Sequence, residues 1–352
     1  ATVTTAAATL TFYDATGLTV APPNPGLNIS GVAIDGLTGV LSNSGVITLR
    51  MNNLSFGSTI NSGAARTILE PFADGQLVDL GALDAVGTLG LTDAELDQIT
   101  AGVLQIGRSQ ILLADPTNTG TINISAAITN PATWTTMALL NGGTITEGGA
   151  GSLGTLAFPI PNLRVTSTGS VTIGNTTNNV TNLAADVMGA GNALFFQDAN
   201  ALTVTLVDGV SGIATNGGAI TLVANGLLTI ANTVDPLDEA DVETDINDSG
   251  ATADIIYRAD DLTLAGTTAA DPAFATNFIW LMPFDDDVDI ELGVNVTGGV
   301  FTVDAGELLT LSSNVLRIGY RNGLGATAFN PNPNSSDNIT VTATIAPVIP
   351  NL

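Results

Sequence analysis

Residues 89–107 read LGLTDAELDQITAGVLQIG, and the chain repeats this stretch 212 positions later as FTVDAGELLTLSSNVLRIG at 301–319. The pairs matched at this one offset are Glu95 with Glu307, Leu96 with Leu308, Ile99 with Leu311, Leu104 with Leu316, Ile106 with Ile318 and Gly107 with Gly319. The offset also carries Pro71-Phe72 onto Pro283-Phe284 and Leu80-Gly81 onto Leu292-Gly293. A match that keeps one offset over so many positions indicates an internal repeat, which must be recognised before a fold is assigned.

The repeat extends in both directions from this stretch. Residues 10–20 match residues 194–204 at a different offset, and the offset changes only between predicted strands, as loop insertions would change it. We therefore define a first repeat, residues 8–131, and a second repeat, residues 192–347.

The repeats predict the domain organisation. We expect a first solenoid unit at 1–131, intervening coils at 132–191 and a second solenoid unit at 192–352, homologous to 8–131, within one continuous solenoid. The chain begins and ends inside the repeat pattern, without an initiator Met or a charged leader. We therefore expect either a processed mature protein or a section of a longer array.

A finer period indicates the size of one coil. Leu163, Leu183, Leu202 and Leu222 each begin a short apolar alternation, and clusters of Gly, Asn and Thr separate them. Two short strands and two turns in about 20 residues are typical of a β-solenoid, in which these leucines would stack. An antiparallel sandwich has turns at a similar spacing, but the near-constant coil length and the lack of two-residue hairpins favour an all-β parallel solenoid.

Composition and charge exclude several classes of function. The chain has 45% hydrophobic and 11% charged residues, which argues against disorder. Its 33 acidic and 7 basic residues give a net charge of −26, which repels nucleic acid and anionic lipid. We expect neither a nucleic-acid partner nor membrane insertion, since the sequence has no apolar run of about 18 residues or more.

Missing residue types limit the available chemistry. The chain has no Cys and no His, and all seven basic residues are Arg. Disulfides, thiol or imidazole metal sites, His acid–base catalysis and Lys Schiff bases are therefore excluded. No catalytic constellation stands out, so we expect no enzyme and argue function from architecture.

Three passages resemble the filamentous-haemagglutinin-like bacterial exoproteins, including two-partner-secretion proteins and related β-strand-repeat adhesins. They are INSGAARTILEPFADGQLVDLG at 60–81, residues 89–107, and NALFFQDANALTVTLVDGVSGIATNGGAITL at 192–222. The resemblance implies a right-handed parallel β-helix displayed outside the cell in adhesion, biofilm or fibre formation. The chain departs from that pattern in lacking a recognisable N-terminal secretion-signal domain.

Four acidic residues are candidate calcium ligands. In the run 285–291, alternation predicts that Asp285, Asp287, Asp289 and Glu291 share one face of a strand. Val288, Ile290 and Leu292 would then face the core. Carboxylates stacked on one face suit Ca²⁺, which prefers oxygen ligands. The alternative, which we favour, is a solvated outer face, so no cofactor is required.

Several smaller predictions concern single elements. Thr92 to Glu95 and Asp304 to Glu307 fit the capping box that begins a helix, and predict one helical turn in each repeat. Thr340, with Thr342 and Thr344, is predicted on one exposed strand face. Phe72 and Phe284, which follow the repeated prolines, are predicted to fill the core.

The sequence predicts a secreted structural protein at the bacterial cell surface. We expect a shaft section or subunit of an extracellular filament or adhesin, which associates with itself as a homopolymer or longer array for surface attachment or biofilm matrix. Two alternatives remain: a module that binds surface glycans, and a β-helix carbohydrate-active enzyme using a carboxylate pair such as Asp286 and Asp289.

Overall fold

The computed structural model describes residues 10–14, 18–20, 40–41, 44–56, 59–108, 119–235, 254–269, 278–285, 288–293, 299–319 and 338–342. The chain forms two compact units, Ala1–Thr181 and Asn182–Leu352. Each is all-β and built from parallel ladders of the solenoid type. This confirms the predicted all-β, parallel, solenoid-like fold class.

Short strands make up the first unit. They are β1 (Leu10–Asp14), β2 (Leu18–Val20), β3 (Val40–Leu41), β4 (Ile47–Met51), β5 (Leu54–Phe56), β6 (Ile60–Asn61), β7 (Arg66–Pro71), β8 (Leu77–Leu80), β9 (Thr88–Leu91), β10 (Ile99–Gly107), β11 (Ile122–Ile124), β12 (Ala127–Ile128), β13 (Trp134–Asn141), β14 (Ile145–Glu147), β15 (Ser152–Leu153), β16 (Ile160–Ser167) and β17 (Val171–Ile173).

The strand β18 (Val180–Val187) crosses from the first unit into the second. The strands that follow are β19 (Leu194–Asp198), β20 (Leu202–Val204), β21 (Leu206–Val207), β22 (Val210–Ser211), β23 (Ile213–Thr215), β24 (Ile220–Ile230), β25 (Val234–Asp235), β26 (Ile255–Leu264), β27 (Thr268–Ala269), β28 (Phe278–Pro283), β29 (Ile290–Gly293), β30 (Phe301–Asp304), β31 (Leu311–Ser312), β32 (Val315–Ile318) and β33 (Ile339–Val341).

Two parallel ladders hold the core of the first unit. One runs through β4, β7, β10, β13 and β16, and stacks Leu49, Leu69, Ile106, Leu139 and Val165, all at most 2% exposed. The other runs through β9, β8, β11, β14 and β17, and stacks Leu89, Val78, Ile122, Ile145 and Val171, all at most 1% exposed. Each such side chain contributes about 1.5–3 kcal/mol of hydrophobic stabilisation.

The second unit has corresponding ladders. One stacks Phe196, Leu222, Tyr257, Leu281 and Ile318 through β19, β24, β26, β28 and β32. A smaller sheet has the order β30, β29, β33. Neighbouring strands are parallel in these ladders, whereas β21 and β22 form an antiparallel pair.

The offset of 212 residues also relates the pairings of the two repeats. Ile106 lies beside Leu69 in the first repeat, and Ile318 lies beside Leu281 in the second. Likewise, β8 pairs with β9 in the register in which β29 pairs with β30. The repeat seen in the sequence is therefore a repeat of strand pairing.

Both predicted helical turns are present, and both capping boxes are confirmed. They are α1 (Asp93–Leu96) and α2 (Ala305–Leu308). In α2 the Asp304 carboxylate accepts from the Glu307 N–H at 2.8 Å, and the Glu307 carboxylate accepts from the Asp304 N–H at 2.8 Å. In α1 the Glu95 carboxylate accepts from the Thr92 N–H at 2.8 Å.

The stacking predicted for Leu183, Leu202 and Leu222 on one another is wrong, whereas Leu163 lies on β16, the strand that pairs with the β18 strand of Leu183. Leu183 lies beside Val204, Leu202 beside Leu228, and Leu222 between Phe196 and Tyr257. The leucines are buried as expected, at 0% exposure. The paired positions at these leucines lie 21 to 35 residues apart, because loops of different length join the strands.

The prediction that Phe72 fills the core is also wrong. Its side chain is 37% exposed and lies against the guanidinium of Arg50, with 5.7 Å between that group and the ring centre. In the second repeat the guanidinium of Arg258 lies 4.9 Å from the Phe284 ring centre and donates to the Phe284 carbonyl. These aromatic residues close the turn after a proline by a cation–π contact at the surface.

Candidate assembly surface

The strand β33 forms one edge of the small sheet in the second unit. Within this sheet Ile290 pairs with Phe301 on one side and with Ile339 on the other. Ile290 and Phe301 are fully buried, whereas Ile339 is 51% and Val341 57% exposed. The middle of the sheet is therefore a packed core, and β33 is an exposed apolar edge.

The hydrogen bonds of β33 show which of its backbone groups face outward. The Asn338 carbonyl accepts from the Ile290 N–H at 2.8 Å, and the Thr342 N–H donates to the Leu292 carbonyl at 2.9 Å. In a parallel ladder alternate residues bond to opposite neighbours. The N–H and C=O groups of Ile339 and Val341 therefore point to the other side, where no described strand pairs with β33.

The equivalent strand of the first repeat is β11, and it makes the same bonds to its inner neighbour. The Val78 N–H donates to the Thr121 carbonyl at 3.0 Å, and the Ser125 N–H donates to the Leu80 carbonyl at 2.8 Å. These four residues correspond to Ile290, Asn338, Thr342 and Leu292. The backbone of β33 is thus arranged as in β11.

The outer side of β11 is occupied by β14. The Ile122 N–H donates to the Thr144 carbonyl at 3.0 Å, and the Gly148 N–H donates to the Ile124 carbonyl at 2.8 Å. Ile122 and Ile124 are both 0% exposed. Their counterparts, Ile339 and Val341, lie on β33, which has no such covering strand among the described residues.

Three of the four calcium candidates, Asp285, Asp289 and Glu291, lie within the described residues. β29 begins at Ile290, so Asp285 and Asp289 precede the strand and only Glu291 lies on it. Asp287 lies outside the described residues. The Asn338 side chain donates to the Asp289 carboxylate at 3.0 Å, which joins the approach to β29 with the start of β33.

The prediction that apolar residues face the core is confirmed for Ile290 and Leu292, whereas Val288 is only half-buried. Ile290 is 0% and Leu292 5% exposed. In the part of the chain that the structure describes, no group of three or more Asp or Glu residues has the arrangement of a metal site. Calcium binding stays a prediction.

Acidic residues near this sheet act as backbone anchors. The Asp261 carboxylate accepts from the Thr302 N–H at 3.1 Å and from the Thr302 hydroxyl at 2.9 Å. Burial, and then the negative charges of Asp285 and Asp261, raise the pKa of Asp260 above its ordinary value. Burial likewise raises the pKa of Glu307, whose carboxylate accepts from the Leu264 N–H at 3.2 Å.

The carboxylate pair considered for an enzyme is not assembled among the described residues, because Asp286 lies outside them. Two Arg residues of the first unit, Arg50 and Arg108, lie close to a buried carboxylate instead. The Glu70 carboxylate lies 3.5 Å from Arg108 and 3.9 Å from Arg50, and Arg108 is 1% exposed. This buried cluster has a structural role that sequence reasoning did not identify.

The first unit also contains a polar groove. It encloses about 680 Å³, and its lining includes the amides of Asn52, Asn53 and Gln76 and the carboxylates of Asp74 and Asp84. Asp84 accepts from the Leu54 N–H at 2.8 Å and from the Gly90 N–H at 2.9 Å, so it holds the groove wall together. Burial raises the pKa of Asp84.

The sequence predicted Thr340 on an exposed strand, and Thr340 is exposed on β33. Thr342, which follows β33, is also exposed, and Thr344 lies outside the described residues. The sequence analysis did not identify the exposed apolar residues of the same strand, Ile339 and Val341. An alignment of residues 122–124, which read INI, with residues 339–341, which read ITV, could have identified these apolar residues, since both segments fall within the repeats.

No protein-family model, curated protein or solved structure matches this chain. The resemblance to filamentous-haemagglutinin-like exoproteins therefore stays a prediction. Among the helices of the described residues, none is long and apolar enough to span a membrane.

Proposed function

We propose that this protein is a structural component of an extracellular, bacterial cell-surface filament or adhesin, and that its molecules associate with one another. Its coils wind as a right-handed parallel β-helix, the hand that crossovers between parallel strands take in nearly all proteins. The basic coil has about 20 residues, as between Leu49 and Leu69, and longer loops enlarge other coils.

The observation that carries the proposal is the repeated strand pairing. Ile106 beside Leu69 and Ile318 beside Leu281 are the same contact made twice by one chain. A protein that stacks equivalent units depends mainly on contacts between neighbouring units, and the same contacts are available for extension. Such a ladder supports a scaffold role.

The use of carboxylates also supports a scaffold. Besides Asp84 and Asp261, the Glu147 carboxylate accepts from the Asn175 N–H at 2.6 Å, 28 positions along the chain. Each of these carboxylates joins two segments that lie 28 to 41 positions apart along the chain. Carboxylates that satisfy backbone donors in this way stabilise turns.

The net charge of the protein limits the partners that it can bind. The net charge of −26 disfavours nucleic acid and anionic lipid as partners and keeps single molecules soluble. Association between such molecules requires an interface without unpaired charge. The uncharged residues 338–342 meet that requirement.

Microscopy and sedimentation of the purified chain test this function. We expect concentration-dependent higher-order assemblies, and we expect salt to favour them because it screens like-charge repulsion. Parallel samples with Ca²⁺ and with EDTA separate calcium-driven association from association of the chain alone. Molecules that stay monomeric at every concentration, salt level and calcium level would contradict the proposal.

The polar groove supports a second candidate function, a glycan-binding module. Amide and carboxylate groups are suited to hydrogen-bonding sugar hydroxyls, and Asn53 is exposed in the groove. A panel of neutral oligosaccharides tests this function by calorimetry. We expect binding that Asn53→Ala weakens, with Asn175→Ala in the same unit as the control; no binding to any member of the panel removes this candidate.

A further inference from the structure

We infer that the outer edge of β33 is a docking site for an edge strand of another molecule of this chain, which adds parallel to β33 as β14 adds to β11. This rests on the proposed function, because it names the surface through which the molecules associate. The bound strand would accept from the outward N–H of Ile339 and donate to the outward C=O of Val341.

The first repeat shows what covers such an edge. There the corresponding groups, the Ile122 N–H and the Ile124 carbonyl, bond to the Thr144 carbonyl and the Gly148 N–H. The covering strand β14 is parallel to β11, with Ile122 beside Ile145 and Ile124 beside Glu147. Because β33 has the same backbone pattern as β11, we expect a parallel strand to bind its outer edge as β14 binds β11.

Side-chain exposure gives the second argument. The side chains of Ile122 and Ile124, on the strand that β14 covers, are 0% exposed. Ile339 at 51% and Val341 at 57% offer that apolar area to a partner. An uncapped apolar strand edge is a ready template for another chain.

The chain itself carries a matching strand. β2 (Leu18–Val20) has β5 as its single neighbour among the described strands, and runs parallel to it. It reads LTV, three uncharged residues like the ITV of β33. Docking β2 of one molecule on β33 of another is a head-to-tail contact, which generates an open series of molecules.

A proline at Val341 tests the edge with little effect on the fold. The Val341 N–H faces outward, so Val341→Pro removes a donor to the partner but no bond to β29, and proline is tolerated on edge strands. Val341→Thr is the matched control, since it keeps the N–H and the branched shape. Fluorescence of Trp280, in the second unit, checks that each variant is folded.

We expect V341P to weaken association about tenfold or more in sedimentation, and V341T to change it by less than about threefold. If the wild-type chain assembles and V341P assembles equally well, the docking site is wrong, while the proposed function stands. A wild-type chain that never assembles overturns both.

Cross-linking identifies the partner strand, because a chain without cysteine accepts single cysteine probes cleanly. T340C and T19C are prepared separately, mixed and treated with a short bismaleimide. We expect a cross-linked dimer in the mixture and little in either variant alone. Cross-linking of T340C with itself, or none in the mixture, overturns head-to-tail docking on β2.

Discussion

The strands β11 and β33 occupy the same position in the two repeats, but their surroundings differ. Both bond to their inner neighbours through equivalent backbone groups. Ile122 in β11 is fully buried beneath β14, whereas Ile339 in β33 is half exposed. In a solenoid, the burial of a strand is decided by the coil stacked on it as much as by its own residues.

The repeats also differ inside the core. Glu70 of the first repeat is buried beside Arg108, and the offset of 212 places Met282 at the corresponding position of the second repeat. Met282 is 5% exposed. The same ladder therefore accepts either a buried ion pair or an apolar side chain.

The largest expected effect is that of breaking this ion pair alone. Glu70→Met removes the carboxylate that lies beside the buried Arg108 guanidinium, and we expect unfolding free energy to fall by about 3–5 kcal/mol. Urea denaturation followed by Trp134 fluorescence, in a Trp280→Phe background, reports on the first unit.

The matched control is the double variant Glu70→Met with Arg108→Met, in which apolar side chains replace both members of the ion pair. We expect it to recover most of the loss, because a well-packed apolar pair replaces a buried ion pair at little cost. Equal losses in the single and double variants would show that the ion pair is not the cause.

A second prediction compares the two edge strands directly. Ile122→Ala empties a packed site and should lower the unfolding free energy by about 2–5 kcal/mol. Ile339→Ala should change it by no more than about 0.5 kcal/mol in dispersed molecules, since its side chain is half exposed. Thermal and urea unfolding at low protein concentration measure both; comparable losses would mean that β33 is covered in the single molecule.

A third prediction concerns close contact between coils. Gly107 and Gly75 both have left-handed backbones, with φ of 76° and 68°. A Cβ at Gly107 would overlap the Leu140 carbonyl, whereas a Cβ at Gly75 meets nothing within 4 Å. We expect Gly107→Ala to cost about 3 kcal/mol and Gly75→Ala about 1 kcal/mol. Equal costs in urea unfolding would show that backbone strain alone matters.

The smallest expected effect is the response to pH. Burial raises the pKa of Glu147 in the first unit and of Glu307 in the second above their ordinary value of 4.5. At these two carboxylates the folded state therefore binds a proton more tightly than the unfolded state does. Their contribution to stability is fully present below pH 4.5 and is lost as pH rises through the raised pKa values.

Melting temperatures at pH 5 and pH 8 measure this response. We expect the first unit, followed by Trp134, to melt higher at pH 5. In Glu147→Gln, whose amide oxygen still accepts from Asn175, the difference between the two pH values should shrink. If Glu147→Gln keeps the full wild-type difference in melting temperature between pH 5 and pH 8, the pH response comes from other carboxylates, such as Asp84.

Much of the fold could be predicted because its signals are local or periodic. The shared offset of Glu95 with Glu307 predicted both helical turns, and alternation in residues 285–291 predicted that Ile290 and Leu292 face inward. The same alternation assumed a strand that begins before Ile290, whereas Asp285 and Asp289 precede β29.

Other features depend on contacts between distant residues. Phe72 was expected in the core because it is aromatic and repeated, but the guanidinium of Arg50 holds it at the surface. The stacking of Leu183, Leu202 and Leu222 failed because loop lengths vary between coils, so an even spacing in sequence does not become an even spacing in the ladder.

The sequence by itself determined an all-β, parallel, repetitive architecture, since two-residue alternation, turn residues and a constant offset are properties of the chain read along its length. Only the tertiary structure decided which strand edge stays open. INI at 122–124 and ITV at 339–341 are alike in pattern, and one is buried while the other is exposed. The physical reason is that strand edges are satisfied by hydrogen bonds and apolar contacts from another coil, which no local pattern records.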